Sequence, residues 1–181
     1  MKLSVIITTY NSEEWLANIK NVLGDAKPDY LIIQHMEPDH SASIGIFMEN
    51  YPDTTIVASV KAFTIMKQFF GCDYAEHQLV VKEKDTLELG KHTLTFVAAP
   101  MVHWPETMMT FDLGEKVLFS GDAFGCFGTL DGAIVDSDMN IDRYWNEMTR
   151  YYANIVGKYG TPVQTLLKKA CAFDIEYICP L

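Results

Sequence analysis

Apolar residues in the first part of the chain recur with two alternating periods, one typical of strands and one typical of helices. A short apolar run at residues 5–8 predicts a strand. Residues 13–23 predict a helix, because Leu16 and Ile19 recur there at helical spacing. This order then returns twice, with predicted strands at 30–33 and 55–59 and predicted helices at 43–50 and 63–70. The sequence thus begins as repeated βα units.

The middle of the chain instead alternates apolar and polar residues around turn residues such as Gly90. Alternation with a period of two, bounded by turn residues, is typical of antiparallel strands. A further hairpin is predicted where two such segments are joined through Gly114 and its neighbours. The predicted antiparallel strands are 79–82, 86–89 and 93–98, and the hairpin strands are 108–112 and 116–120.

The last part of the chain returns to helical spacing. Its longest predicted helix has an apolar stripe that is expected to place Trp145 and the tyrosines in the core. A second helix is predicted with Thr161 as its cap and Pro162 in its first turn. The predicted elements are helices at 141–158 and 161–172 and a strand at 176–179.

Composition describes an acidic, globular chain. Its 181 residues are 49% hydrophobic, which is enough for one domain that folds without disulfides. The formal net charge of −10 argues against a nucleic-acid binder, since neutralising phosphates requires clustered Lys and Arg. No apolar run approaches the roughly 20 residues of a membrane span, and the apolar start is too short for a signal peptide.

The cysteines bear on the cellular compartment. The four cysteines form no Cys-x-x-Cys pair and no small-domain disulfide pattern. Free or buried thiols are therefore a better interpretation than bridges or a zinc knuckle. This interpretation predicts a protein of the reducing cytoplasm.

The strongest candidate for chemistry lies directly after the apolar run at 30–33. Residues 35–40 read His-Met-Glu-Pro-Asp-His, a density of metal-ligand side chains that indicates a metal site. In an extended segment, alternate residues point to one side, so that one short loop could serve two adjacent ions. His35, Glu37 and Asp39 are then expected to converge, with His40 turned toward a second point.

Two more ligand-type residues follow predicted strands, His103 and Asp122. Taken alone, His103 would more often be an ordinary loop residue and Asp122 a turn residue. Sites in α/β sandwiches gather at strand ends, however, so we expect both to join the 35–40 cluster. The Gly- and Asp-rich segment 124–139 follows Asp122 directly and is expected to cover the site.

The donor set narrows the choice of metal. Carboxylate-rich sites with a few imidazoles suit iron or manganese, and additional histidine shifts the preference toward zinc. A carboxylate such as Asp122 can bridge two ions roughly 3.5–4 Å apart. Trp104 and Phe124 are expected to form part of the pocket wall, and His77 and His92 are interpreted as surface residues.

These motifs together resemble the metallo-β-lactamase-like domain of the flavodiiron proteins. The resemblance rests on His-x-Glu-x-Asp-His at 35–40, on His103 in Val-His-Trp-Pro and on Asp122 in Ser-Gly-Asp-Ala-Phe-Gly. Most hydrolases of that superfamily have a histidine where Glu37 stands, whereas the flavodiiron branch has glutamate. The resemblance implies an α/β (α+β) fold, the αβ/βα four-layer sandwich. It assigns His35, Glu37, His103 and the bridging Asp122 to one iron, and Asp39, His40 and Asp122 to the other.

The resemblance covers nearly the whole chain but only part of the family's metal-binding domain. The family adds one more histidine to the second iron, and the segment 175–181 resembles the strand that leads into it. Residues 8–16 resemble a family segment that several further strands precede. The expectation is an incomplete domain at 1–181, without the flavodoxin domain and with an exposed sheet edge that predicts a homo-oligomer.

The function implied by the resemblance is reduction of dioxygen to water or of nitric oxide to nitrous oxide. Nothing in the chain resembles a flavodoxin phosphate loop, so FMN would come from a partner or from missing sequence, with a flavodoxin- or rubredoxin-type electron donor. The leading hypothesis is a diiron fragment that is inactive alone. Two alternatives stay open: a zinc-dependent hydrolase of the same fold, and a non-catalytic remnant that binds metal weakly or not at all.

Overall fold

The computed structural model describes residues 4–6, 12–128 and 135–180, and these residues form two β-sheets with helices on their outer faces. The first sheet has the order β1-β2-β3-β4 and is parallel throughout. Its strands are β1 (Ser4–Ile6), β2 (Tyr30–Ile32), β3 (Thr55–Ala58) and β4 (Gln78–Val80). Its helices are α1 (Ser12–Leu23), α2 (Pro38–Ser41), α3 (Ile44–Asn50) and α4 (Val60–Phe70).

The second sheet has the order β5-β6-β7-β8-β9. Its first four strands are antiparallel neighbours, and β9 runs parallel to β8. The strands are β5 (Thr86–Glu88), β6 (Thr93–Ala98), β7 (Met108–Asp112), β8 (Val117–Gly121) and β9 (Tyr177–Pro180). Between β8 and β9 lie α5 (Trp145–Ile155) and α6 (Gly160–Ala170).

The two sheets pack face to face, and strand alternation explains how. In β2, Leu31 belongs to the core under α3 and α4, whereas the next residue, Ile32, belongs to the core between the sheets. In β6, Phe96 faces the same inter-sheet core and Val97 faces a third core under α6. The resulting layers, helix, sheet, sheet and helix, are the predicted αβ/βα four-layer sandwich.

The prediction of antiparallel pairing for 79–82 is wrong. The strand there, β4, lies at the edge of the first sheet and pairs with β3 in parallel, with Val57 opposite Leu79. The chain reaches it through α4, and a helical crossover returns the following strand in the parallel direction. Alternation indicates a half-buried strand but does not indicate its direction. The other four predicted antiparallel strands are confirmed.

The single long helix predicted at 141–158 is also wrong. The structure has a 3₁₀ turn at Ile141–Arg143, then α5, then a second 3₁₀ turn at Gly157–Tyr159. Gly157 favours the end of α5, because glycine destabilises a helix interior. The predicted stripe is not core: Trp145 is 59% exposed and Tyr152 is 45% exposed. The second helix begins at Gly160, so Thr161 lies inside it and is not its cap.

The remaining expectations concern the cysteines, membrane-spanning segments and parts of two predicted elements. The four cysteines are free thiols, as predicted. Across the described part of the chain, no helix is both long enough and apolar enough to cross a bilayer. Residues 7–8 of the first predicted strand and residues 129–134 of the predicted covering loop lie outside the described residues.

Candidate metal centre

The ligand loop leaves β2 in an extended form and then turns into a helix. Pro38 occupies the start of α2, where its missing N–H and fixed φ are well tolerated. The segment is therefore not extended throughout, and Asp39 and His40 project from a helical turn. We expected Asp39 to converge with His35, and this is wrong. Because of the helical turn, Asp39 lies with Glu37 and His40 instead.

The first ligand group consists of His35, Glu37, His103 and Asp122, whose ligand atoms all lie within 4.8 Å of one another. His35 Nε2 lies 3.3 Å from Glu37 Oε2 and 3.4 Å from Asp122 Oδ2. His103 Nε2 lies 3.0 Å from the same Glu37 oxygen and 3.2 Å from the same Asp122 oxygen. Two imidazoles and two carboxylates thus face one point.

The second group consists of Glu37, Asp39 and His40. His40 Nε2 lies 2.7 Å from Asp122 Oδ1 and 3.6 Å from Asp39 Oδ2. Asp122 therefore turns one oxygen toward His40 and the other toward His35 and His103. This is the arrangement that a bridging carboxylate requires.

The two candidate ligands from the second sheet, His103 and Asp122, both lie in segments that follow strands. Asp122 follows the end of β8, where Gly121 has a φ of +62°, a left-handed conformation that glycine adopts without strain. His103 lies in the connection between β6 and β7. Since His35 and Glu37 follow β2 of the first sheet, the site lies where the two sheets meet.

The charges of the site perturb its titrating groups. Burial alone would raise the pKa of the Asp122 carboxyl, but His40, His35 and His103 together hold this pKa below its usual value. Burial would likewise lower the pKa of His40, yet the hydrogen bond to Asp122 and the nearby carboxylates raise it. The metal-free site therefore favours an ionised Asp122 that accepts a hydrogen bond from His40 Nε2–H.

Glu106 is a site residue that the sequence reasoning missed. Its Oε1 lies 2.7 Å from His35 Nδ1 and accepts a hydrogen bond from the Met36 N–H at 3.0 Å. Burial alone would raise the pKa of the Glu106 carboxyl, but these hydrogen bonds and His35 lower it. The sequence did contain a signal for this role. Glu106 is an acidic residue just before the apolar strand β7, and it follows the candidate ligand His103 by three positions.

Tyr151 is a second residue that the sequence reasoning missed, because it was interpreted as core. Burial raises the pKa of its phenol, and the charges of the candidate ligands Asp122, Glu37 and Asp39 raise it further. The ring tip lies over Gly125, where an added Cβ would come within 2.5 Å of Tyr151 Cζ. Phe127 contacts the Tyr151 ring at a centroid distance of 5.1 Å, and the Arg150 guanidinium lies 4.2 Å above Phe127.

Of the two expected wall residues, Trp104 lies beside the ligands. Its ring packs edge-on against His35 at 5.2 Å and against His103 at 6.3 Å between centroids. Phe124 is 54% exposed, and its contribution to a pocket wall stays a prediction. His92, interpreted as a surface residue, is half-exposed and lies 2.6 Å from Asp112 Oδ2, outside both ligand groups.

One observation in particular indicates that these side chains fit a divalent cation. Glu106 Oε1 already accepts the Met36 N–H, so the short contact to His35 is best satisfied when Nδ1 carries the proton. The Nε2 lone pair of neutral His35 then faces the carboxylate oxygens of Glu37 and Asp122. A lone pair and two anions at such distances repel one another unless a cation lies between them.

Comparison with known proteins identifies what this arrangement is similar to. Residues 8–181 match the family model described as "ODP family beta lactamase". The nitric oxide reductase of Moorella thermoacetica is 33% identical over 158 residues, which cover 86% of this chain. The anaerobic nitric oxide reductase flavorubredoxin of Escherichia coli K12 is 33% identical over 177 residues, which cover 95% of this chain. The chain spans 39% and 36% of the length of these two relatives.

Solved structures show the same similarity. The rubredoxin oxygen:oxidoreductase of the anaerobe Desulfovibrio gigas superposes with a TM-score of 0.91 at 31% identity, covering 98% of this chain and 45% of the other. The flavodiiron protein of Giardia intestinalis superposes with a TM-score of 0.88 at 28% identity, covering 98% of this chain and 43% of the other. The likeness extends over almost every described element of both sheets.

Proposed function

Since the chain belongs to the metallo-β-lactamase-like domain family of the flavodiiron proteins, we propose that it holds the two iron ions of an oxidoreductase. The reaction proposed is the reduction of dioxygen to water, of nitric oxide to nitrous oxide, or of both. The observation that carries the proposal is the position of Asp122, whose two oxygens face histidines on opposite sides. A site for one ion would not need that arrangement.

In this proposal His35, Glu37, His103 and Asp122 hold one iron, and Asp39, His40 and Asp122 hold the other. Ferrous ions bound there would supply redox chemistry to a small diatomic substrate. Trp104 packs edge-on against the rings of His35 and His103 and would help to hold both imidazoles in place. Tyr151 keeps its phenolic proton, because burial and the nearby carboxylates raise its pKa.

Electrons must reach the site from a flavin, and these 181 residues contain no recognisable flavin phosphate loop. We propose that FMN is contributed by another domain or by a separate flavodoxin- or rubredoxin-type donor, in the cytoplasm. The relatives' names, flavorubredoxin and rubredoxin oxygen:oxidoreductase, support donors of this kind. The isolated 181 residues are expected to bind metal without turning over.

Anaerobic loading with ferrous iron, followed by elemental analysis, tests the proposal. We expect about two irons per chain for the unchanged protein, because the proposal lets Asp122 serve both ions, one with each of its oxygens. Asp122→Ala removes the shared ligand and is expected to lose most of the metal. Asp138→Asn serves as the matched control. Asp138 lies in an exposed 3₁₀ turn at Asp136–Asp138, so this substitution changes the charge without touching the ligands. Full retention of two irons by Asp122→Ala would contradict the bridging role.

The same experiment separates the alternatives. The description "beta lactamase" of the matching family favours one competing function, a zinc-dependent hydrolase of the same fold. Preferential retention of zinc, with metal-dependent turnover of a chromogenic ester in the absence of any electron donor, would support it. At most one weakly held ion would indicate a non-catalytic remnant.

A further inference from the structure

Glu106 stands out among the buried polar residues because its carboxylate lies against a ligand and not in the cleft. Its side chain and that of His35 are both fully buried, with 0% exposure each. One oxygen, Oε1, receives both of its hydrogen-bond contacts, from His35 and from the Met36 N–H. The other oxygen, Oε2, has no partner among the described residues. A buried carboxylate kept in such a position requires a compensating role.

We propose that Glu106 is a positioning residue for the metal centre: it fixes the tautomer and orientation of His35, so that its Nε2 is held ready to bind the ion. The inference deepens the proposed function and rests on it for the identity of the ion. A histidine that donates its remote N–H to a carboxylate is a stronger and better oriented ligand than one that donates to water. In this structure the remote nitrogen is Nδ1, and Nε2 is left to face Glu37 and Asp122.

The backbone around Glu106 is anchored well enough to hold its side chain in place. Its carbonyl accepts a hydrogen bond from Ser59 Oγ at 3.1 Å, and Ser59 Oγ in turn accepts the Ala62 N–H at the start of α4. Glu106 is thereby tied to a helix of the first sheet, although it precedes a strand of the second.

Glu106 also continues the pairing between the ligand loop and β7. The Met108 N–H donates to the Gln34 carbonyl at 3.0 Å, and the Met36 N–H donates to Glu106 Oε1 at 3.0 Å. The carboxylate oxygen thus serves the Met36 N–H where no backbone carbonyl does. The same oxygen therefore holds both the loop backbone, at Met36, and the imidazole of His35.

The short segment from His103 to Glu106 therefore acts on the first ligand group twice. His103 supplies a ligand directly, and Glu106 orients His35, which lies on the opposite sheet. Trp104, between them in sequence, packs against both imidazoles. A displacement of this segment would move two of the four members of the group together.

Two substitutions separate the charge of Glu106 from its hydrogen bonding. Glu106→Gln keeps the shape and an oxygen acceptor but removes the negative charge, so we expect the Nδ1–H tautomer to persist and metal affinity to fall. Glu106→Met removes the acceptor, so Nε2–H becomes the favoured tautomer because Nε2 faces two carboxylates. Glu76→Gln, in the exposed 3₁₀ turn before β4, is the matched control.

Tautomers are measured by ¹⁵N–¹H NMR of the metal-free protein at a pH where the imidazole is neutral, and affinity by cobalt(II) titration against a chelator. Glu106→Gln is expected to weaken cobalt binding by about 10–100-fold and to alter the cobalt absorption spectrum. Unchanged affinity and spectrum in Glu106→Gln, together with an unchanged tautomer in Glu106→Met, would overturn the proposal. If the unchanged protein binds no cobalt, the proposed function fails, while the tautomers still decide whether Glu106 positions His35.

Discussion

At the scale of single residues, the contact between His40 Nε2 and Asp122 Oδ1 is the shortest of those given above between two candidate ligands, at 2.7 Å. Both side chains are largely buried, with 13% and 10% exposure. Hydrogen bonds between charged partners are shorter and stronger than neutral ones. The pair therefore links α2 of the first sheet to the end of β8 in the second.

We expect this pair to stabilise the metal-free protein only within a pH window. The pKa of His40 is raised above its ordinary value of 6.5, so the stabilisation is complete below 6.5 and is lost as the pH rises through the folded pKa. The pKa of Asp122 is held below 3.8, so its contribution is present above 3.8 and is lost as the pH falls through the lower folded value. Urea unfolding of chelator-treated protein at a series of pH values measures both losses of stability, the alkaline limb from His40 and the acid limb from Asp122.

His40→Gln is the informative variant for that measurement. It is expected to flatten the alkaline limb, because position 40 no longer has an imidazolium that can lose its proton. His77→Gln, on the 3₁₀ turn before β4, should leave the limb unchanged. The same alkaline limb in His40→Gln and in the unchanged protein would mean that another group produces it.

At the scale of elements, residues 125–127, shortly after Asp122, are fastened to α5. Phe127 contacts both the Arg150 guanidinium and the Tyr151 ring, and Arg150 is also paired with Glu147 on the same helix. The Cys126 Sγ lies 3.8 Å from the Tyr144 carbonyl. These contacts hold Tyr151 against the residues that follow Asp122.

We expect Gly125→Ala to displace the Tyr151 ring. The added Cβ would lie 2.5 Å from Cζ, closer than real Cβ contacts come, so the ring must move away. Overpacking of this kind costs about 1–3 kcal/mol of unfolding free energy. The pKa of Tyr151, now raised, should fall toward its ordinary value of 10.0 as the phenol becomes more exposed. A spectrophotometric phenol titration and a urea unfolding curve measure the two effects.

Gly160→Ala provides the control for that substitution. Gly160 lies at the start of α6 with helical φ, and an added Cβ there would meet nothing within 4 Å. It is expected to be neutral or slightly stabilising, because alanine has less conformational freedom in the unfolded chain. If Gly125→Ala behaves in the same way, the close packing of Tyr151 on the loop is not important for stability.

At the scale of the whole molecule, the sequence predicted the layers but not all of their connections. Apolar periodicity identified both sheets, because burial leaves a local pattern along each strand. It did not give the direction of β4, which depends on a crossover, or the break before Gly157. That the histidine and carboxylate side chains lie together could be predicted, because each follows a predicted strand and the 35–40 cluster marks the place; their role as metal ligands stays a prediction. Glu106 and Tyr151 were missed because their roles arise only when distant segments meet.

Because its ligands come from both sheets, metal is expected to stabilise the sandwich as a whole. An ion that binds only the folded state adds about 2.7 kcal/mol at a concentration 100 times its dissociation constant. Thermal unfolding with and without anaerobic ferrous iron should show a higher midpoint with the metal. Asp122→Ala should show little of this increase, and Asp138→Asn all of it; an equal increase in both variants would place the stabilising ion elsewhere.

Self-association remains a separate prediction at this scale. Strand β1 is the outer strand of the first sheet in the described part of the chain, with β2 as its neighbour. An unpaired strand edge can pair with a second chain. Light scattering across protein concentrations measures whether it does, and a constant monomer mass would contradict the prediction.

The unequal exposure of the ligands has a kinetic consequence. His35 is fully buried and Asp122 is 10% exposed, whereas Asp39, which belongs only to the outer group, is 61% exposed. Water and competing chelators therefore reach the outer position more readily than the inner one. Removal of the two ions by a chelator is therefore expected to proceed in two phases, a fast loss from the side of Asp39 and a slow loss from the side of His35. A half-emptied protein would then persist for a time between the fully loaded and the metal-free forms.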